Sequence, residues 1–179
     1  MLKDKKGNWV EILKIPEELC KKIVQETLKG ILRLLDSAQI LLDNGGDEAV
    51  CAGLYTYALE EYGKILLLKQ TSHVAGEVEI EYRKGFRCHR RKFRLALENL
   101  PNECKTLYEA DFDAEDFESS DFETEDIIAD FEARMAVFYS DFTDSGRDIK
   151  PVPPVDTKLL RNAMNTLQTI ALRTDFNIC

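Results

Sequence analysis

The chain has 179 residues and a formal net charge of −9, with 44% hydrophobic and 32% charged residues. This length suits a single domain that buries its own core, and the composition excludes a disordered chain. The longest apolar runs are shorter than the ~18 residues of a membrane span, and the N-terminus lacks a signal peptide. We therefore expect a cytoplasmic protein without membrane association. Five cysteines without a CxxC pair and two histidines predict no metal site and no cofactor.

Helical spacing of apolar residues predicts two long helices in the first part of the chain. Pro16 marks the start of the first helix, which ends at the turn sequence "DNGGD". Asp47 is the predicted N-cap of the second helix, which extends to about Lys69. Because that second helix is apolar on nearly every side, it is typical of the central element of a bundle.

A third helix is predicted from Glu77 to Leu100, ended by Pro101. Aromatic and apolar residues recur along it every three or four positions, as on a buried face, and His89 lies on this stripe. A parallel stripe of arginines runs beside it, formed by Arg83, Arg87, Arg90 and Arg94.

The second part of the chain is acidic, since residues 106–133 contain twelve acids and neither lysine nor arginine. Residues 106–122 are predicted to be a mobile insertion because their phenylalanines recur with neither helical nor strand period. Helical spacing returns at Thr124, and a last helix is predicted from Asp156 to Arg173. The whole chain, 1–179, is therefore interpreted as one all-α bundle of five principal helices.

Three groups of residues could support chemistry. Glu60, Glu61 and Lys64 are charges in an otherwise apolar helix, where they must be paired, and Glu60 and Lys64 have the i,i+4 spacing of a helical ion pair. They predict either a structural ion-pair network between helices or support for a neighbouring site. The block "EARMAVFYSDF", with Arg134, Tyr139 and Asp141, is by itself only an amphipathic helix ending in a turn.

The third group is the cationic stretch "YRKGFRCHRRKFR" at residues 82–94. Its cations could neutralise phosphates of RNA, and the candidate phosphate-binding residues are Arg87, Arg90, Lys92 and Arg94. His89 is the one residue there that exchanges a proton near neutral pH. RNA cleavage needs a proton acceptor, a proton donor and cations, and this stretch could supply all of them. The alternatives are a solvated basic face with a core histidine, or a histidine at a subunit interface.

The order of "ALEEYGK", "FRCHRRK" and "EARMAVFYSDF" resembles the AbiV family of abortive-infection proteins, over about residues 20–172. That family is similar to the HEPN superfamily of small helical domains, which are often dimeric. The resemblance implies phage defence in prokaryotes, through arrest of growth or translation in infected cells. It implies as partners RNA, a second copy of the chain, and a phage-encoded activator or the translation machinery.

Many HEPN domains resemble metal-independent endoribonucleases in which an Arg, four to six residues and a His meet between two protomers. Arg83 and His89 meet this spacing and become the implied catalytic pair, whereas Lys84 stands where the motif has Asn, Asp or His. On one ideal helix the pair would lie about 120° apart, so a bend or a partner is needed. Two functions stay open, a ribonuclease toxin and an inactive HEPN protein that acts by binding. The acidic segment is interpreted as a solvated insertion, with folding over the cationic stretch as the alternative.

Overall fold

The computed structural model describes residues 2–3, 9–74, 76–82, 86–101, 104, 141–142, 149–150 and 155–174. Its helices are α1 (Glu17–Asp43), α2 (Glu48–Gln70), α3 (His89–Asn99) and α4 (Thr157–Arg173). Its strands are β1 (Leu2–Lys3), β2 (Trp9–Val10), β3 (Ile12–Pro16), β4 (Ser72–Val74), β5 (Glu77–Glu81), β6 (Asp141–Phe142) and β7 (Ile149–Lys150).

Helices α1, α2 and α4 begin and end close to where the sequence predicts. The carboxylate of Asp47 accepts hydrogen bonds from the backbone N–H groups of Ala49 and Val50, at 2.8 and 3.2 Å. Asp156 caps α4 in the same way, through the N–H groups of Lys158 and Leu159. Both caps satisfy backbone donors that a helix cannot pair internally, which fixes where these helices start.

The core is built around α2, which packs against α1, α3 and α4. About half of its residues are buried, on several sides of the helix, and Tyr55, Leu59, Ile65 and Leu68 are fully buried. The predicted central helix is therefore confirmed. Its position means that any charged side chain on a buried side of α2 must find its partner on a neighbouring helix.

The predicted third helix is wrong at its start, because residues 77–81 form strand β5. The sequence "EVEIE" alternates acidic and apolar residues, and its Val78 and Ile80 are buried as in a half-buried strand. Strand β5 is the middle of an antiparallel sheet of order β3-β5-β4, with Val78 opposite Ile15. Gly76, with a φ of 81°, forms the turn between β4 and β5. The helix begins only at His89.

The mostly helical fold class is confirmed, although the sheet was not expected. The acidic segment 106–122 and most of the helix predicted from Thr124 lie outside the described residues. Asp141 and Phe142, at the predicted end of that helix, instead pair with Ile149 and Lys150 as the antiparallel strands β6 and β7.

Helices α2 and α3 approach each other closely at Gly63. A Cβ atom added to Gly63 would lie 1.7 Å from the carbonyl oxygen of Lys92, far inside any real contact distance. Gly63 is therefore required because the backbone of α3 occupies the space of its side chain. This contact fixes the distance between the two helices at the level of residues 60–64 and 89–92.

Replacing Gly63 by Ala should destabilise the protein by at least about 2 kcal/mol, because the added methyl group forces α3 away from α2. Gly30→Ala is the matched control, since Gly30 also lies within a helix and its added Cβ would meet nothing within 4 Å. That control should gain up to about 1 kcal/mol from the better helix propensity of Ala. Urea unfolding of both variants measures the two free energies. Equal stability of the two variants would contradict the close approach.

Candidate functional site

The candidate site is built on Glu60, an acidic residue on a buried side of α2. Its residue exposure is 7%, and the residues before it, Ala58 and Leu59, are fully buried. A buried carboxylate without partners would cost several kcal/mol, so Glu60 depends on the groups that α3 brings to it.

Two basic side chains of α3 meet the same carboxylate oxygen of Glu60. The ammonium Nζ of Lys92 lies 2.9 Å from Oε1 of Glu60, and the ring Nδ1 of His89 makes a short contact with the same oxygen. His89 and Lys92 are three residues apart and so lie on one face of α3. A triad of Glu60, His89 and Lys92 therefore joins α2 to α3.

The members of this triad differ in their exposure to solvent. Lys92 is only 4% exposed, whereas the side chain of His89 is 46% exposed. The buried lysine and glutamate thus form an anchored pair, and the histidine extends from that pair to the surface. His89 is consequently not the buried core residue that its place on the predicted apolar stripe suggested.

The contact with Glu60 also determines which ring nitrogen of His89 is available for proton transfer. A carboxylate only accepts hydrogen bonds, so Nδ1 of His89 holds the proton that is donated to Glu60. This assigns the other nitrogen, Nε2, as the atom that takes up or releases a proton. A half-exposed histidine oriented by a carboxylate is the arrangement of a general base or acid.

His89 is the first residue of α3, so backbone N–H groups of the first turn lie next to it. Cys88 is the N-cap, and its sulfur accepts a hydrogen bond from the N–H of Arg91 at 3.4 Å. The exposed Arg87 lies over the ring of Tyr82, at 5.8 Å from the ring centre. The N-terminus of α3 and the nearby guanidinium both favour an anion at this end of the helix.

Glu61 and Lys64 do not join the triad. Nζ of Lys64 lies 2.7 Å from Oε1 and 2.5 Å from Oε2 of Glu61, on the part-buried surface of α2. The i,i+4 pair of Glu60 with Lys64 suggested by the sequence is therefore wrong, because Glu60 turns towards α3 instead. The ion-pair network between helices is confirmed, but its basic members come from α3.

The predicted phosphate-binding residues separate into different environments. Lys92 is buried against Glu60 rather than presented to solvent, and Arg94 forms an exposed ion pair with Glu98 at 2.6 Å. Arg90 belongs to α3, but its side chain is outside the described part. Arg83, Arg134 and Tyr139 lie outside the described residues, and Asp141 is described only as a residue of β6.

The sequence analysis did not predict how two residues, Gly63 and Lys92, contribute to the site. Gly63 had no assigned purpose, and Lys92 was grouped with surface cations. A signal was present, because Lys92 follows His89 by three residues and the "ALEEYGK" block holds both an acid and a glycine on an apolar helix. Combining those observations would have required knowing that α3 packs on that side of α2.

Within the described residues, no cluster of three or more His, Cys, Asp or Glu side chains has the arrangement of a metal site. Helices long and apolar enough to cross a membrane are likewise absent from the described part of the chain.

The family model HEPN_AbiV, described as AbiV, matches residues 19–171, which include the whole triad. The chain belongs to the AbiV family. Membership places it among the abortive-infection proteins of the HEPN type, as the sequence resemblance implied. A search of curated proteins and a search of solved structures gave no match. The function proposed for this AbiV protein is therefore argued from the triad of Glu60, His89 and Lys92.

Glu60→Gln should destabilise this AbiV protein by about 3–5 kcal/mol, because it leaves the ammonium of Lys92 buried without a counter-charge. Glu61→Gln removes a similar carboxylate one residue later, but from a part-buried surface pair, and should cost less than about 1 kcal/mol. Urea unfolding at neutral pH compares the two variants. Similar losses in both would show that Glu60 is not the buried anchor of α3.

Proposed function

We propose that this AbiV protein is a metal-independent endoribonuclease that acts as a homodimer on RNA. The observation that supports the proposal best is the half-exposed His89, whose ring is oriented by the buried carboxylate of Glu60. A side chain that is 46% exposed is accessible to a substrate.

In the proposed reaction, Nε2 of His89 takes the proton of a ribose 2′-hydroxyl. The 2′-oxygen then forms a bond to the adjacent phosphorus, and the bond from phosphorus to the 5′-oxygen breaks. The leaving 5′-oxygen receives a proton, so that the products are a 2′,3′-cyclic phosphate and a 5′-hydroxyl end. A two-fold dimer would bring a second His89 to donate that proton, which makes one histidine per chain sufficient.

Negative charge grows on the phosphate as the reaction proceeds, and cations held in place stabilise it. Arg87, two residues before His89, and the N-terminus of α3, which begins at His89, both favour an anion. Arg83, which five residues separate from His89, is the arginine that the ribonuclease motif places at the phosphate. We propose that Arg83 and Arg87 together hold the scissile phosphate.

The cellular consequence proposed for this activity is arrest of growth or translation in an infected cell. RNA is then the substrate, and a phage-encoded activator or the translation machinery is the partner that releases or directs the cleavage. We place this activity in the cytoplasm, where the RNA of translation is found.

The second candidate is a HEPN protein without nuclease activity that acts by binding a phage or host partner. One observation favours it, since the contacts of Glu60 with His89 and Lys92 join two helices and would stabilise the fold without any chemistry. Lys84, in place of the polar residue of the ribonuclease motif, favours it as well.

Removing the imidazole separates the two candidates. His89→Ala should lower the rate of RNA cleavage by about 10²–10⁴-fold, the usual contribution of general acid–base catalysis, and should abolish growth arrest. His73→Ala is the matched control, since His73, in strand β4, is the other of the two histidines of the chain. Both variants should keep the circular-dichroism spectrum of the parent. Labelled RNA in EDTA is the substrate for all three proteins.

A His89→Ala variant that cleaves RNA as fast as the parent would rule out the proposed mechanism. If the parent itself leaves RNA intact and the variant still arrests growth, the binding protein is the correct alternative.

Arginine replacements test which cations face the phosphate. Arg87→Ala should reduce cleavage at least about tenfold, because Arg87 precedes His89 by two residues and loss of one cation at a developing charge has this order of effect. Arg94→Ala should reduce it much less, since Arg94 is paired with Glu98 farther along α3. Initial rates at low salt compare the variants. A larger loss for Arg94→Ala would move the phosphate site away from the N-terminus of α3.

A further inference from the structure

One oxygen atom of Glu60 contacts two basic side chains of α3. Oε1 accepts a hydrogen bond from Nζ of Lys92 at 2.9 Å and makes a short contact with Nδ1 of His89. Two N–H donors that share one carboxylate oxygen compete for the same negative charge. The strength with which Glu60 holds the proton of His89 must therefore depend on Lys92.

The position of Lys92 is fixed from two directions. Its side chain is buried, and its backbone carbonyl lies against Gly63, where even a methyl group has no room. The backbone contact holds Lys92 against α2, and its buried ammonium is paired with Glu60. Its ammonium is thus a permanent part of the surroundings of Glu60, unlike the ammonium of an exposed lysine.

We propose that Lys92 is a positioning residue that, through Glu60, orients the ring of His89 and sets the pH at which that ring exchanges its proton. This inference rests on the proposed ribonuclease function for its catalytic meaning. The sequence analysis assigned Lys92 as a phosphate ligand. In this proposal Lys92 instead acts on His89.

The direction of the effect follows from the charges around the ring. Glu60 stabilises the protonated ring, and Lys92 opposes this by neutralising part of the carboxylate charge. The other ionisable groups at this level of α2 are Glu61 and Lys64, which pair with each other. Next to His89 along the chain lie Arg87, Cys88, Arg90 and Arg91, and the three arginines disfavour a further positive charge. Removing the charge of Lys92 should therefore let His89 keep its proton to higher pH.

The test is an NMR titration of the two histidine rings in the full-length protein. In Lys92→Met the midpoint of the His89 titration should move upward by about one pH unit, the order of effect of one nearby charge. Lys64→Met is the matched control, because it removes a lysine from the neighbouring ion pair and should leave the His89 midpoint unchanged. The resonance of His73 serves as the internal reference in each protein.

A purely structural contribution of Lys92 would give a different pattern. Lys92→Met would then lower the melting temperature while the His89 midpoint stayed within 0.2 or so of a pH unit of the parent, as with ordinary surface changes. That result, or a downward shift, overturns the inference. Should Lys92→Met fail to fold, Lys92→Gln makes the same test, since it keeps an N–H donor for Glu60 but removes the charge.

The cleavage reaction supplies the second measurement. If the proposed function is correct, the limb of the pH–rate profile that reports His89 should shift upward in Lys92→Met by the same amount as the NMR midpoint. A parent protein that leaves RNA intact would refute the ribonuclease proposal, and the NMR titration would still decide the action of Lys92 on His89. A shift in the NMR midpoint with an unchanged profile would show that His89 is not the group that limits the reaction.

Discussion

A carboxylate buried on the central helix is the constraint around which the site is organised. Glu60 lies on an apolar helix that packs against three others, so its charge has to be met from within the protein. Among the described residues, α3 brings basic side chains alongside α2 to meet this charge. The short helix that follows the sheet is thus held by charge as well as by its apolar residues, Phe93, Ala96 and Leu97.

The glycine at position 63 makes this pairing geometrically possible. Ion pairs in a protein interior repay the cost of dehydration only when the groups are at hydrogen-bond distance. With a side chain at position 63, α3 would stand farther from α2, and Lys92 would lose its 2.9 Å contact with Glu60. The spacing between Glu60 and Gly63 in "ALEEYGK" therefore has a physical reason, since acid and glycine lie one turn apart on the side that faces α3.

Features that depend on local sequence could be predicted, and features that depend on which helices meet could not. The N-cap at Asp47, the ends of α1 and α4 and the central position of α2 follow from residues close together in the chain. The helix predicted from Glu77 was wrong over residues 77–81, because the helical spacing of arginines and aromatic residues around Phe86 does not continue into the alternating residues of β5. Likewise, Lys64 stands at helical spacing from Glu60 and within reach of Glu61, and sequence offers no means to choose between those acids. The packing of α3 on α2 makes that choice.

Because α3 packs on α2, two members of the triad stabilise the fold, and the third, His89, is exposed and available for chemistry. Glu60 and Lys92 are both buried and contact each other directly, so their pair remains when the imidazole of His89 is removed. Replacing Glu60 instead disturbs the fold and the orientation of the histidine together, so the loss of activity in such a variant would have two causes. His89 is the member whose side chain is exposed enough for its loss to leave the helices in place. The question whether this AbiV protein cuts RNA or only binds its partner is therefore decided at His89, because there chemistry can be removed while the interior charge stays paired.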